Sequence, residues 1–126
     1  MAKFITQHHG PSVNHLDIAP WTLFFDGSSC RHGGGVGIVI ISPRGKIYEF
    51  AMKIGPMVTN NQAEYEAILK GLQLLLEIKA EVIEVFGDSQ LVINQLLGRY
   101  ACMDHILRKY YEECLVLLKK FYLVSL

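Results

Sequence analysis

The sequence predicts an α/β domain built on one mixed β-sheet. Three observations carry this reading. Three β-prone runs follow one another with turn-forming residues between them, as in an antiparallel meander. A helix-length segment with a 3.6-residue apolar stripe comes next, and then a short β-branched run. Two further helical segments and a last apolar run complete the pattern, giving five strands with helices interleaved in the second half.

Each element has its own signal. Residues 1–20 mix His, Pro, Gly, Ser and Asn without a period and read as a flexible arm or linker, leaving 21–126 as the domain. His8, His9 and His15 in the arm lack the Cys or carboxylate spacing of a metal site. Trp21 to Phe25 is an apolar strand closed by Asp26, and Gly27 to Gly35 is a turn rich in Gly and Ser. Val36 to Ile41 is the second strand. Ser42-Pro43-Arg44-Gly45 places Pro and Gly where a tight reversal wants them. Lys46 to Ile54 alternates, with Ile47, Glu49, Ala51 and Lys53 on one side and Tyr48, Phe50, Met52 and Ile54 on the other. That is a half-buried third strand, with Tyr48 and Met52 in the core.

Thr59 or Asn60 is placed to cap the first helix, which runs to about Ala80 with Ala63, Ala67, Ile68, Leu72, Leu75 and Leu76 as its buried stripe. Val82 to Phe86 is the fourth strand, and Ser89 to Leu97 a short helix broken by Gly98-Arg99-Tyr100. Asp104 to Lys120 is an amphipathic helix with Leu107, Tyr110, Cys114, Leu117 and Phe121 on one stripe. Phe121 to Leu126 is the fifth strand.

Composition excludes several classes. At 126 residues and 51% hydrophobic, the chain is one domain with a real core and not a disordered segment. No apolar run reaches the ~20 residues that span a bilayer, and Met1 to Pro20 lacks the apolar centre of a signal peptide. A soluble, intracellular protein (cytoplasmic or nuclear) with no membrane partner is expected. Cys30, Cys102 and Cys114 are odd in number, as in a reducing compartment. Zero formal net charge argues against a protein that grips nucleic acid mainly through a basic surface.

Three carboxylates stand out. Asp26 closes a strand of Leu and Phe, Glu64 lies in the first turn of a helix, and Asp88 follows a second strand. Each has a plain structural explanation: turn former, capping-box residue and helix cap respectively. Together, from three different elements, they are the donor set that hard divalent cations require. Mg2+ is held by few protein carboxylates and completes its shell with waters and substrate phosphates.

The phrases Phe25-Asp26-Gly27-Ser28-Ser29, Thr59-Asn60-Asn61-Gln62-Ala63-Glu64-Tyr65-Glu66-Ala67 and Asp88-Ser89-Gln90-Leu91-Val92 resemble the signature of ribonuclease H. They are closest to the ribonuclease H domains of plant gypsy-type LTR retrotransposon polyproteins. The resemblance runs from Trp21 to Leu126, with three motifs in order. It implies a ribonuclease H-like fold and hydrolysis of the RNA strand of an RNA–DNA hybrid with two Mg2+ ions, Mn2+ being a substitute. One ion would activate the attacking water and the other would stabilise the leaving 3′ oxygen. Asp26, Glu64 and Asp88 are the implied metal ligands and catalytic residues, with Asp26 bridging the ions. Gly27, Ser28, Thr59, Asn60, Asn61 and Gln90 match positions that contact the hybrid, where Asn and Gln reach minor-groove acceptors and 2′-hydroxyls. Either Asn60 or Asn61 is expected to combine that contact with helix capping.

The family pattern also carries a fourth carboxylate on a C-terminal helix, after a loop with a His. This sequence ends at Leu126, within or just past the last strand, so both are missing from it. Two consequences are expected. The chain would be a ribonuclease or a catalytically impaired nucleic-acid-binding or interaction module. The sheet face that the helix covers in the family would be bare, favouring self-association through that face or through the fifth strand as an edge, or cover by residues 1–20.

Overall fold

A computed structural model of the 126-residue chain describes residues 19–29, 33–55 and 58–126, together with the backbone of 3–5. The elements run β1 (Lys3–Ile5), β2 (Trp21–Ser28), β3 (Gly34–Ile41), β4 (Ile47–Ile54), α1 (Asn60–Glu77), β5 (Val82–Gly87), α2 (Gln90–Leu96), α3 (His105–Leu118) and β6 (Leu123–Ser125). His8, His9, His15 and Cys30 lie outside the described residues.

Strands β2, β3 and β4 form the antiparallel meander, and β5 and β6 extend it as parallel strands on the other side of β2. The sheet order is β1-β6-β5-β2-β3-β4. The five expected strands are all present, and β1 adds a sixth. Lys3 to Ile5 pair antiparallel with Ser125 to Leu123. The last strand is therefore flanked on both sides and is not the open edge that its position in the sequence suggested. The edges of the sheet are β1 and β4, and among the described residues β4 is open.

Helix α1 packs on β2 and β3. Thr59 closes its first turn with a capping box: its hydroxyl accepts from the Gln62 amide at 3.1 Å, and the Gln62 side chain accepts from the Thr59 amide at 3.0 Å. The cap is thus Thr59 and neither Asn60 nor Asn61. Ala63, Ala67, Ile68, Leu72 and Leu75 are buried as their spacing predicts, against Leu23, Phe25, Val36, Ile38 and Ile40 of the sheet. Tyr65 and Leu69 are buried too, because α3 covers a second side of α1. The Tyr65 hydroxyl donates to Gln95 Oε1, and Gln95 Nε2 donates to the Ala101 carbonyl at 3.3 Å. This buried polar link ties α1 to α2, and the hydrophobic period contained no sign of it.

The third strand departs from expectation. Every residue from Ile47 to Lys53 is exposed, with Tyr48, Phe50 and Met52 at 37–38% relative accessibility. Alternation along β4 is correct, since Met52, Phe50 and Tyr48 stand opposite buried Val36, Ile38 and Ile40. Helix α1, however, covers β2 and β3 and stops short of the edge strand. Tyr48 and Met52 are surface residues, not core.

Helices α1 and α2 end in the same hydrogen-bond pattern with different residues at the decisive position. After α2, the Gly98 amide donates to the Gln95 carbonyl at 3.0 Å and the Arg99 amide to that of Asn94 at 2.8 Å, with Gly98 at φ 80°. After α1, the Lys79 amide donates to Leu76 at 3.1 Å and the Ala80 amide to Leu75 at 3.0 Å, with Lys79 at φ 61°. This Schellman closure favours glycine, because a Cβ is strained in the left-handed region. Relief of that strain, about 1–2 kcal/mol, outweighs the added unfolded-chain entropy of about 0.4–1 kcal/mol. Lys79→Gly should therefore stabilise the fold by ~0.5–1 kcal/mol. A thermal melt showing a lower midpoint for the variant would refute this.

Candidate active site

The site lies where β2 runs past the N-terminus of α1. Gly27 makes the approach possible. A Cβ at this position would lie 2.6 Å from the Glu64 amide nitrogen and closer still to the Ala63 carbonyl. These are backbone atoms that cannot step aside. Because the strand is bare here, Glu64 reaches the end of β2, where its carboxyl accepts a hydrogen bond from the Gly27 amide and shares one with the Asp26 carboxyl.

Asp26 is exposed, and in the sheet register it stands beside Gly37, an open position with nothing within 4 Å of a virtual Cβ. Asp88 is exposed just beyond β5. The cap of α2 is the neighbouring Ser89, whose hydroxyl accepts from the Val92 amide at 3.2 Å. The capping explanation for Asp88 therefore does not hold, nor does the capping-box explanation for Glu64, since Gln62 fills that role.

Burial of the Glu64 carboxyl pushes its pKa up to about 7, and the carboxylates of Asp26 and Asp88 push in the same direction against the Gly27 amide. Its Oε2 is buried and has no hydrogen-bond partner. A buried carboxylate oxygen without a donor, beside two other carboxylates, is an arrangement that a cation would complete. The donor set fits a hard divalent ion, having oxygen ligands only. Among the described residues, no set of three His, Cys, Asp or Glu side chains already stands in a metal-holding arrangement.

The remaining sequence-predicted residues surround these acids. Asn60 Oδ1 accepts from both the amide and the hydroxyl of Ser29, each at 2.8 Å, which ties the end of β2 to the start of α1. Thr59, Asn61, Ser28 and Gln90 are exposed, whereas Gly27 is buried and gives its amide to Glu64. Gln90 also lines a groove of about 990 Å³ on the face of the sheet away from α1, together with Asp26, Asp88, Phe24, Phe86 and Leu126. Its apolar floor includes the stacked rings of Phe24 and Phe86, 5.2 Å apart, with Phe24 42% exposed. Val39 and Ile41 of β3 are half-buried, while Val36, Ile38 and Ile40 are buried beneath α1. The open face of the sheet is thus made by alternate residues of these strands. Among the described residues, no helix is long and apolar enough to cross a membrane.

The family model described as "Reverse transcriptase-like" matches residues 24–126. Ribonuclease HI of Halobacterium salinarum is 39% identical over 88 residues, covering 68% of this chain and 44% of that protein. The chain spans less than half the length of the curated relatives it matches. The crystal structure of RNase H1 from the same archaeon superposes with a TM-score of 0.75 at 37% identity, covering 81% of this chain and 79% of the other. LC11-RNase H1, solved in complex with an RNA/DNA hybrid, gives a TM-score of 0.72 at 26% identity, covering 81% of this chain and 78% of the other. With the fold of ribonuclease H and a family match over most of its length, the chain belongs to the Reverse transcriptase-like family.

Proposed function

We propose that this domain is a metal-dependent endoribonuclease that hydrolyses the RNA strand of RNA–DNA hybrids, with Asp26, Glu64 and Asp88 as ligands to two Mg2+ ions. The observation that carries the reading is the partnerless, buried Oε2 of Glu64 beside the other two carboxylates. Support comes from relatives that are ribonucleases H by name, one of them solved with a hybrid bound.

Divalent ions supply a Lewis acid for the scissile phosphate and a lowered pKa for the attacking water. The chain's own residues prepare for this. Gly27 lets Glu64 approach and orients it through its amide, and Asp26 faces Glu64 from the strand. With its pKa raised to about 7, Glu64 must give up its proton as a cation binds, so at subsaturating Mg2+ activity rises as pH rises toward 7, and saturating Mg2+ moves that rise to lower pH. Ser28, Thr59, Asn60, Asn61 and Gln90 line the approach and are assigned to the hybrid, with Asn60 holding its place through Ser29. The Asn60 amide nitrogen, opposite the oxygen that Ser29 engages, is the donor for a 2′-hydroxyl or a minor-groove acceptor.

One observation favours a second reading. The acids are not assembled into a metal-holding set without a cation. A catalytically impaired module that keeps the acids and binds nucleic acid or a protein would look the same in this respect. We assign the domain an intracellular setting and kinship with the ribonuclease H domains of plant gypsy-type retroelements, on the wording of its three motifs.

A hybrid with separately labelled RNA and DNA strands tests the proposal. The RNA strand should be cut internally with Mg2+ or Mn2+ present and left whole with a chelator, and the DNA strand should survive throughout. Hybrid that is bound and not cut in either metal would establish the second reading instead.

A further inference from the structure

Strand β4 is an open edge of unusual character. Edges are normally blunted by short length, Pro, bulges or like charges that repel a second edge. β4 has eight residues, Ile47 to Ile54, with no Pro or Gly, and its register with β3 is unbroken from Gly34↔Ile54 to Ile41↔Ile47. It exposes Ile47, Tyr48, Phe50 and Met52. Its two charged residues, Glu49 and Lys53, are of opposite sign and lie on one face. The other edge strand, β1, has only three residues.

We infer that β4 is a self-recognition edge. Two copies of the chain pair antiparallel through it about a two-fold axis at Ala51, and the sheet runs on from one copy into the other.

The register follows from the residues. Outward-pointing N–H and C=O groups recur at every second residue, so a two-fold antiparallel pair sets residues of like parity opposite each other. An axis at Ala51 places Glu49 opposite the partner copy's Lys53, and symmetry repeats the pair. It also sets Phe50 opposite Met52 and Tyr48 opposite Ile54, each twice. An axis at Phe50 would put Lys53 opposite Ile47, and one at Met52 would put Lys53 opposite Ala51, so neither joins the charges. Axes at Glu49 or Lys53 would set like charges together. Opposite charges and apolar pairs directly across strands are both favourable, and like charges there are not. Only the Ala51 register satisfies every pair.

The arrangement has a geometric consequence. Asp26, Gly37 and Ala51 lie on one line across β2, β3 and β4. A two-fold axis perpendicular to the sheet keeps both copies' open faces on the same side. The two Asp26 positions would then lie roughly 24 Å apart, five strand spacings of ~4.8 Å. Self-pairing does not depend on the proposed hydrolysis, and its test does not use activity.

Sedimentation of the purified chain over a concentration series, with Glu49→Lys, Lys53→Glu and the double variant, tests the inference. The wild type should form a dimer in a concentration-dependent way. Each single variant sets like charges opposite each other twice and should weaken dimerisation about tenfold or more. The double variant should restore it, and an equimolar mixture of the two single variants should form heterodimers. Both positions are exposed, and a melting curve confirms that each variant folds. A wild type that stays monomeric at every concentration would overturn the inference. So would a dimer indifferent to Lys53→Glu, which would point to the open groove face instead.

Discussion

Asp26→Asn should abolish cleavage of the RNA strand while leaving the fold as stable as before, or more so. The loss should be roughly 10³-fold or greater, since removing a shared cation ligand costs at least ~4 kcal/mol of transition-state stabilisation. The stability half of the result is the more discriminating. Asp26 is exposed and faces a carboxyl whose pKa it helps to raise to about 7. Removing one negative charge relieves that repulsion, and an Asn side chain can still accept from the Glu64 acid or donate to its carboxylate. Linkage gives the sign. A carboxyl whose folded pKa lies above its ordinary 4.5 costs nothing below the unfolded value; the cost builds as pH rises from 4.5 to about 7 and is fully present above the folded value. The variant's advantage in metal-free buffer should therefore appear above pH 7 and vanish below about pH 4.5. Parallel melts and hybrid-cleavage assays check both halves. A much lower melting point at pH 8 would show that Asp26 has a structural partner and would weaken its assignment as a ligand.

Gly27→Ala should damage fold and site together. The added methyl meets the backbone of Ala63 and Glu64, with 2.6 Å to the Glu64 nitrogen, so either α1 or β2 must shift. Overpacking of this kind costs about 1–3 kcal/mol, and rigid backbone on the far side places it at the upper end. The shift separates Glu64 from Asp26 and removes the amide that orients it. Melting temperature and divalent-cation affinity should both fall. Gly37→Ala is the control: it is the strand neighbour of Asp26, but its Cβ enters open space. If Gly27→Ala kept wild-type stability, the close approach of strand and helix would not be what sets Glu64 in place.

The fold is largely legible in the sequence, for identifiable reasons. The acids at 26, 64 and 88 could be picked out because each sat at a strand end or helix start, where local signals are strongest. The buried stripe of α1 followed from its period. What escaped depended on which surface covers which. Alternation in β4 correctly divided its residues between two faces, but nothing local says that α1 stops at β3, so Tyr48 and Met52 were misplaced. Thr59 and Asn60 were equally good caps by residue type. The choice fell to Thr59 because Ser29, thirty-one residues earlier, engages Asn60. The same limit hid the Tyr65–Gln95 link, which joins residues thirty apart, and the pairing of Lys3 to Ile5 with the last strand, which spans nearly the whole chain. Lys79 is different in kind: a lysine in the left-handed position breaks the local rule that Gly98 obeys, and propensity cannot foresee it.

If Glu64, Asp26 and Asp88 form one cation site, the Glu64 carboxyl must respond to Mg2+. The most direct test is the titration of the Glu64 carboxyl carbon by NMR, without metal and with saturating Mg2+. The midpoint should lie near 7 in metal-free buffer and fall well below that value when Mg2+ is present, because the cation displaces the Glu64 proton. A midpoint that stays near 7 at saturating Mg2+, or one already at the ordinary 4.5 without it, would rule out a cation site built on Glu64.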